Sequence, residues 1–273
     1  MLELSSLFGY VAMMLLGVIL GLIGAGGSIL TVPVLVYLFA IPPTQATGYS
    51  LVIVGASAAV GAAEYWRRKQ NNPKMALVFG IPAILGVYLT RRYLFPAIPN
   101  PVLEAGGFIL SKDVAVMIFF AIFMLMAAFS MIRGKKEESI LNAAHDGVHH
   151  VNVPLIAGLG LAAGVFTGLV GAGGGFMILP ILVLLGDLPI KIAIGTDLLI
   201  IAAKSLLGFI GEAQAAAAID YGFVATILAL PLVGIAIGTY LNKIVPASKL
   251  KPAFGYFVLV MAVYIISREL FFA

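Results

Sequence analysis

Long apolar stretches separated by short polar segments follow one another along almost the whole chain. Most of them are long enough for a helix to cross the roughly 30 Å hydrocarbon core of a bilayer. They are also too continuous for barrel strands, in which polar and apolar residues alternate. The pattern predicts an all-α polytopic membrane protein, with apolar stretches at 7–23, 28–41, 44–66, 75–90, 113–132, 154–170, 176–186, 190–212, 221–240 and 251–270.

Two of the apolar regions are interrupted by nearly the same glycine-rich sequence. It reads GAGGSILTVP from Gly24 to Pro33 and GAGGGFMILP from Gly171 to Pro180. Glycine costs a helix interior about 1 kcal/mol relative to alanine, and backbone that leaves a helix inside a membrane must be buried in protein or line a polar cavity. We therefore predict, in each half of the chain, a helix, a glycine turn and a half-helix that begins inside the membrane.

The stretches on either side of the first glycine turn are short. At 1.5 Å per residue, 7–23 and 28–41 reach only about 25 and 21 Å, which is less than the thickness of the hydrocarbon core. This length favours a re-entrant helical hairpin. Two tilted full spans remain the alternative.

A helix that starts inside the membrane is a candidate anion site. Its first N–H groups have no partner within the helix, and the helix start carries roughly half a positive elementary charge. The alternative is that the glycines only allow helices to pack closely, but broken helices at corresponding positions of two halves are typical of transporter binding sites. The predicted substrate-binding residues of the two turns are Gly24, Gly26, Gly27, Ser28, Gly171, Gly173, Gly174 and Gly175.

The similarity between the two halves continues beyond the glycine turns. The two motifs are 147 residues apart in the sequence. At the same separation Pro42 corresponds to Pro189, and Gly48 corresponds to Gly195. Each copy then holds one hairpin and three full spans, and an odd number of crossings forces the second copy into the opposite orientation. We predict two inverted-topology transmembrane repeats, 1–133 and 153–273, joined by a cytoplasmic linker at 134–152.

The positive charges agree with this topology. When the segment after residue 66 is placed in the cytoplasm, the cytoplasmic segments hold most of the lysines and arginines, as the positive-inside rule requires. Both termini then lie outside, and Arg91 and Arg92 fall in an outer loop. The cytoplasmic set is Arg67, Arg68, Lys69, Lys74, Arg133, Lys135, Lys136, Lys191, Lys243, Lys249 and Lys251.

A few polar side chains fall inside the predicted spans, where ionisable groups are costly and usually functional. Asp197 and Lys204 are seven residues apart, which places them on one face of a helix, about 10 Å from each other. Their counterparts in the first half are Ser50 and Ser57, and Thr196 adds a hydroxyl beside Asp197. We predict that these three hydroxyls and Lys204 belong to the substrate-binding site, that Lys204 offsets the charge of the bound anion, and that Asp197 is a coupling candidate. The alternative is a charge pair or network that holds helices together without touching substrate.

Composition narrows the chemistry further. The chain is 62% hydrophobic and 10% charged, and its net charge of +4 is spread over helix ends, so no nucleic-acid partner is expected. The absence of cysteine excludes disulfides and thiolate metal sites. Glu64 and Glu212 lie near span ends and are expected to reach the membrane interface. We expect no cofactor and no metal site, because ligands without a rigid scaffold are poorly held, as is the case for the linker residues His145, Asp146, His149 and His150.

At these residues the chain resembles the sulfite exporter TauE/SafE family of membrane transporters. The resemblance is carried by the two glycine motifs and by a G-[YT]-[SD]-L step after each, at Gly48 to Leu51 and Gly195 to Leu198. It implies transport of a small sulfur-containing anion such as sulfite, sulfoacetate or another organosulfonate. Some family members move thiosulfate with the help of intramembrane cysteines, and the absence of cysteine excludes that mechanism here.

The sequence and the resemblance together predict a secondary transporter in the cytoplasmic membrane that contacts lipid and works by alternating access, with export as the expected direction. Assembly into a homo-oligomer is left open. A passive anion channel would share every motif and is the first alternative. An intramembrane enzyme that uses Asp197 with Ser205 or Thr196 is the second, although the spans hold no histidine or cysteine for a nucleophile and its base.

Overall fold

A computed structural model describes residues 2–23, 25–105, 108–143, 152–171, 173–215, 220–241 and 247–271. Helices account for most of these residues. In chain order they are α1 (Leu2–Ile23), a 3-10 segment (Ala25–Leu30), α2 (Thr31–Tyr37), α3 (Pro43–Arg67), α4 (Pro73–Leu89), a π-helical segment (Thr90–Leu94), α5 (Phe95–Ala97), α6 (Lys112–Ala143), α7 (Val153–Val170), α8 (Gly175–Leu184), α9 (Ile190–Ala215), α10 (Tyr221–Leu241) and α11 (Ala247–Phe271).

Seven helices in the described ranges are long and apolar enough to cross a membrane. The prediction of a polytopic helical membrane protein is therefore confirmed. One small element departs from a purely helical chain, because β1 (Leu103–Ala105) and β2 (Phe108–Leu110) pair as an antiparallel hairpin between α5 and α6. The seven candidate spans are Pro43–Arg67, Pro73–Ala97, Lys112–Arg133, Val153–Val170, Ile190–Gln214, Gly222–Leu241 and Pro252–Phe271.

Each glycine motif separates a longer helix from a shorter one. The apolar part of the first arm is short as predicted, at Leu7–Leu22, although the whole of α1 begins at Leu2, has 22 residues and is about 33 Å long. Polar residues near a helix end do not stop the helix, which is why the apolar stretch underestimates its length. The second arms are short as expected, since α2 has 7 residues and α8 has 10. Gly24 lies outside the described residues.

Four helix pairs make up most of the packing. α1 packs on α10 and α4 packs on α7, while α3 packs on α9 and α6 packs on α11. In every pair one helix comes from the first half of the chain and the other comes from the second half. The two halves are therefore interleaved rather than side by side.

Glycines away from the two motifs allow this close packing. A Cβ atom on Gly164 of α7 would lie 2.1 Å from the carbonyl oxygen of Ala83 in α4, and one on Gly238 of α10 would lie 2.1 Å from that of Val18 in α1. These helices therefore touch backbone to backbone, as small residues permit in membranes. Close packing explains these glycines without invoking a binding site.

Two helices extend further than the sequence predicts. The apolar stretch 75–90 continues without a break through the π-helical segment and α5, so Arg91 and Arg92 lie in a helix and not in an outer loop. Long side chains such as arginine favour helix and do not end one. α6 runs to Ala143, so the first ten residues of the predicted linker are helical. The four histidine and aspartate positions considered as metal ligands, 145, 146, 149 and 150, lie outside the described residues.

Candidate functional site

The two glycine segments meet between α3 and α9. A Cβ atom on Gly173 would lie 2.5 Å from Val54 Cγ1 and 3.1 Å from Ser28 Oγ. Ser28, in the 3-10 segment of the first motif, therefore lies directly beside the turn of the second motif. Ile201 of α9 packs against the same glycine, because its Cγ2 atom would lie 3.3 Å from that Cβ atom. The structure thus brings Ser28 and Gly173 together in a place with no room for a further side chain.

The second turn owes its shape to two glycines in the left-handed region. Gly171 has φ 73° and caps α7, and Gly174 has φ 71° and precedes the first residue of α8, Gly175. A side chain at Gly171 would also place its Cβ 2.3 Å from the carbonyl oxygen of Thr47. Only glycine satisfies both the backbone angle and this contact.

In the first motif, Gly26 and Gly27 belong to the 3-10 segment, which leads directly into α2. A Cβ atom on Gly27 would lie 2.9 Å from the backbone nitrogen of Leu20, so this segment folds back against α1. The first motif is therefore a tight helical turn, whereas the second motif is an open turn between two α-helices.

Lys204 lies in the middle of α9 and is completely buried. Its Nζ donates a hydrogen bond of 2.7 Å to Thr167 Oγ1 on α7, whose own hydroxyl donates to Ala163 O. An ammonium group carries three donors, and Thr167 is the one hydrogen-bond acceptor that Lys204 has in the described part of the chain. In its ammonium form the lysine therefore has donors to spare.

Asp197 is also buried, at 2% exposure, and its Oδ1 has no hydrogen-bond partner. Over the residues that the structure describes, the ion pairs within 4.0 Å join Arg68 to Glu64 and Arg91 to Glu212, and no such pair joins Lys204 to Asp197. The burial predicted for both residues is confirmed. A direct ion pair between them, which is one form of the structural alternative, is not formed among the described residues, and the looser network stays untested.

Three further predicted residues have different surroundings. Ser50 Oγ donates to the carbonyl oxygens of Thr47 and Gly171, which fastens α3 to the second turn. Thr196 Oγ1 accepts the N–H of Asn72 and donates to Ile192 O, so its hydroxyl joins α9 to the connection before α4. The polar atoms of Ser50 and Thr196 are thus used within the protein.

Ser57 is different, because its buried hydroxyl has no hydrogen-bond partner. It lines a cavity of about 10 Å³ together with Gly27, Ser28 and Pro231. Such a volume accommodates about one water molecule. In the sequence, Ser57 corresponds to Lys204 at the 147-residue separation of the two glycine motifs.

Arg91 was not predicted as part of a site, yet it is the largest fully buried side chain in the described chain. Its Nη1 donates to Glu212 Oε2 at 3.2 Å and to Thr47 Oγ1 at 3.1 Å, and its guanidinium stacks on Phe95 at 4.6 Å from the ring centroid. The expectation that Glu212 reaches the membrane interface is wrong, since its side chain is only 13% exposed and pairs with Arg91. A buried guanidinium requires such a partner.

Two buried basic side chains are each linked to the second glycine turn through a threonine. Lys204 bonds Thr167, whose carbonyl oxygen accepts the N–H of Gly171 at 2.8 Å. Arg91 bonds Thr47, whose backbone touches the same glycine. Since Glu212 is already paired with Arg91, Lys204 is the basic group of this turn that an anion would complement. Within the described residues no group of acidic, histidine or cysteine side chains is arranged to hold a metal ion.

Comparison with known proteins points to one family. The family described as sulfite exporter TauE/SafE matches residues 10–265. A probable membrane transporter protein of Xylella fastidiosa strain 9a5c is 27% identical over 261 residues, which cover 93% of this chain and 92% of that protein. The probable membrane transporter protein YdhB of Bacillus subtilis strain 168 is 30% identical over 243 residues, covering 88% of this chain and 92% of that protein. No solved structure matches the chain.

Proposed function

The chain belongs to the sulfite exporter TauE/SafE family of membrane transporters, and from that premise we propose that it carries a small sulfur-containing oxyanion, such as sulfite, sulfoacetate or another organosulfonate. It moves the anion across the cytoplasmic membrane as a secondary transporter, in the direction of export. The observation that carries this proposal is Lys204, a completely buried ammonium with one hydrogen-bond acceptor, beside a glycine turn.

The oxyanion would bind between the two glycine segments. The first N–H groups of α8, after Gly174, have no partner within that helix. They form the N-terminal end of the helix, which carries its partial positive charge. Ser28 adds a hydroxyl from the opposite segment, and Lys204 offsets the charge. Because the site is closed to bulk water, each of these contacts is stronger than it would be at the surface.

We further propose that 1–133 and 153–273 are inverted repeats joined by the linker 134–152, and that rocking of the two halves gives alternating access. The reciprocal packing of α1 on α10 and α4 on α7 supports this, as does the uneven distribution of basic residues. Transporters with inverted repeats typically bind substrate at the repeat interface near the midplane. Both termini then lie outside.

Single cysteines in this cysteine-free chain test the topology. Gln70 O touches Gly195 near the start of α9, whereas Gln214 lies 19 residues further along, about 28 Å away. We expect a cysteine at Gln214 to react with an impermeant thiol reagent in intact cells and one at Gln70 to react only after permeabilisation. Labelling of the cysteine at Gln70 alone in intact cells would show the opposite orientation in the membrane. Labelling of both cysteines from one side would contradict the inverted repeat.

Asp197 is proposed as the proton-coupling group, since it is a buried carboxylate with an unpartnered oxygen on the same helix as Lys204. We expect Asp197→Asn to bind the anion and exchange it across proteoliposomes, yet fail to accumulate it when a proton gradient is imposed. Asp187→Asn, in the connection between α8 and α9, is the matched control and should accumulate normally. If Asp197→Asn accumulates the anion as well as the unchanged protein does, Asp197 is not the coupling group and has a structural role.

Thermal unfolding of the detergent-solubilised protein tests the substrate class. Ligands that bind the folded state raise its apparent stability, by about 2.7 kcal/mol at a hundredfold excess over Kd. Sulfite or a sulfonate should raise the unfolding temperature more than acetate does, in a panel that also includes taurine, thiosulfate and sulfate. Stabilisation by acetate alone would indicate that the substrate is a carboxylate and not a sulfur oxyanion.

A further inference from the structure

The hydrogen bonds of Arg91 leave one edge of its guanidinium unused. Both partners, Thr47 and Glu212, bind the same nitrogen, Nη1. Nε and Nη2 are buried and have no hydrogen-bond partner among the residues that the structure describes. These two nitrogens lie along one side of the planar group, where their N–H bonds run parallel and match two oxygens of a carboxylate, sulfonate or phosphate.

We propose that this edge of Arg91 is a second oxyanion-binding site, which the transported anion occupies between the glycine turn and the membrane face at the Glu212 end of α9. This inference rests on the proposed function, because it assigns a further binding residue to the same transported anion. It adds a bidentate contact to a residue that neither the sequence nor the family comparison singles out.

A purely structural ion pair explains the geometry less well. Glu212 contacts Arg91 through a single oxygen and a single nitrogen at 3.2 Å, although a carboxylate could bind the free edge through two bonds. Donors that are buried without acceptors are costly, and a guanidinium cannot shed its charge. The arrangement seen here is therefore less favourable at Arg91 than one in which an oxyanion occupies the edge.

The neighbouring charges favour an anion at this position. Lys112 lies 4.5 Å from the centroid of the Phe95 ring, the same ring on which Arg91 stacks, and donates to the carbonyl oxygens of Phe95 and Ile98. Two acidic groups lie nearby. Glu212 binds Nη1 of Arg91, and Asp113 accepts the backbone N–H of Thr44 at the start of α3. Neither carboxylate contacts the free edge.

The Arg91 edge and Lys204 are separate positions on one route. Glu212 lies eight residues beyond Lys204 on α9, a rise of about 12 Å. Thr47, Gly171 and Thr167 connect them through the contacts already described. An anion that leaves one cation can therefore reach the other after a short displacement.

Arg91→Lys tests the proposal in the full-length protein, because lysine keeps the charge and removes the two-nitrogen edge. With radiolabelled sulfite and proteoliposomes, we expect KM to rise at least about tenfold. The preference for sulfite over thiocyanate, a linear anion that cannot use two parallel bonds, should fall as well. Arg92→Lys is the matched control. Among the described residues Arg92 donates to the carbonyl oxygen of Gln214 and lies over the Tyr93 ring, so this change should leave both quantities unchanged.

Glu212→Gln provides a second measurement that does not depend on removing the arginine. Loss of the neighbouring negative charge should lower the KM for sulfite several-fold if the edge of Arg91 binds substrate, whereas a purely structural pair predicts lower stability and no gain in apparent affinity. Sulfite transport with unchanged KM and unchanged anion preference in Arg91→Lys would overturn the second site and leave the proposed function intact. A wild-type protein that neither binds nor moves sulfite or any sulfonate would overturn both.

Discussion

Replacement of Lys204 by methionine is expected to weaken oxyanion binding at least about tenfold, because losing a hydrogen bond to a charged group costs roughly 1.5 to 3 kcal/mol. Methionine has a similar length and no charge, so the buried volume is kept. Lys204→Arg should recover part of the affinity, limited by the different shape of the guanidinium. Isothermal calorimetry with sulfite and the purified protein measures both changes.

The double variant Asp197→Asn with Lys204→Met separates binding from charge balance. If the lysine only neutralised Asp197, removal of both charges would restore sulfite binding to nearly the original strength. Since Lys204 contacts Thr167 and forms no ion pair with Asp197 within 4.0 Å in the described chain, we expect the double variant to bind as weakly as the single one. Restored binding would reduce Lys204 to a structural counter-ion.

Replacement of Gly171 by valine is expected to abolish transport. The residue has φ 73°, which is strained for a β-branched side chain, and its Cβ would lie 2.3 Å from the carbonyl oxygen of Thr47. Gly173→Val should have the same effect, because its Cβ would lie 2.5 Å from Val54 Cγ1. Sulfite uptake into proteoliposomes, normalised to the amount of inserted protein, is the measurement.

Gly158 is the matched control for the two turn glycines. It lies in α7, in the same apolar helix that ends at Gly171, and a Cβ atom there would meet nothing within 4 Å. Gly158→Val should therefore insert and transport normally. Equal loss of uptake at Gly158 and Gly171 would indicate a general sensitivity of the membrane fold and would remove the evidence that the turn forms a site.

Patterns that depend on nearby residues were predictable from the sequence. Apolar length alone identifies the membrane-spanning helices, and a charged residue deep in an apolar stretch, such as Lys204 or Asp197, is buried as expected. The repeated glycine motif also indicates where α7 ends and α8 begins, because a glycine cluster interrupts a helix in either half.

Partners that are distant in the chain were not predictable. Arg91 and Glu212 are 121 residues apart, and each alone resembles an ordinary charge at the end of a span. The apolar residues Leu94 and Phe95, which follow Arg91, are a signal that the helix continues past it. Hydroxyls were equally ambiguous, since only the tertiary contacts reveal that Ser50 and Thr196 are satisfied within the protein whereas Ser57 has no partner.

Counterflow of radiolabelled sulfite into proteoliposomes tests the central claim most directly, because a carrier returns to its starting side faster when it is loaded. Unlabelled sulfite or sulfoacetate inside the vesicles should accelerate uptake of the labelled anion, uptake should saturate with concentration, and Lys204→Met should remove the acceleration. Uptake that rises linearly with concentration and ignores the anion inside would identify a passive channel. Absence of any sulfite or sulfonate flux would contradict the proposed substrate class.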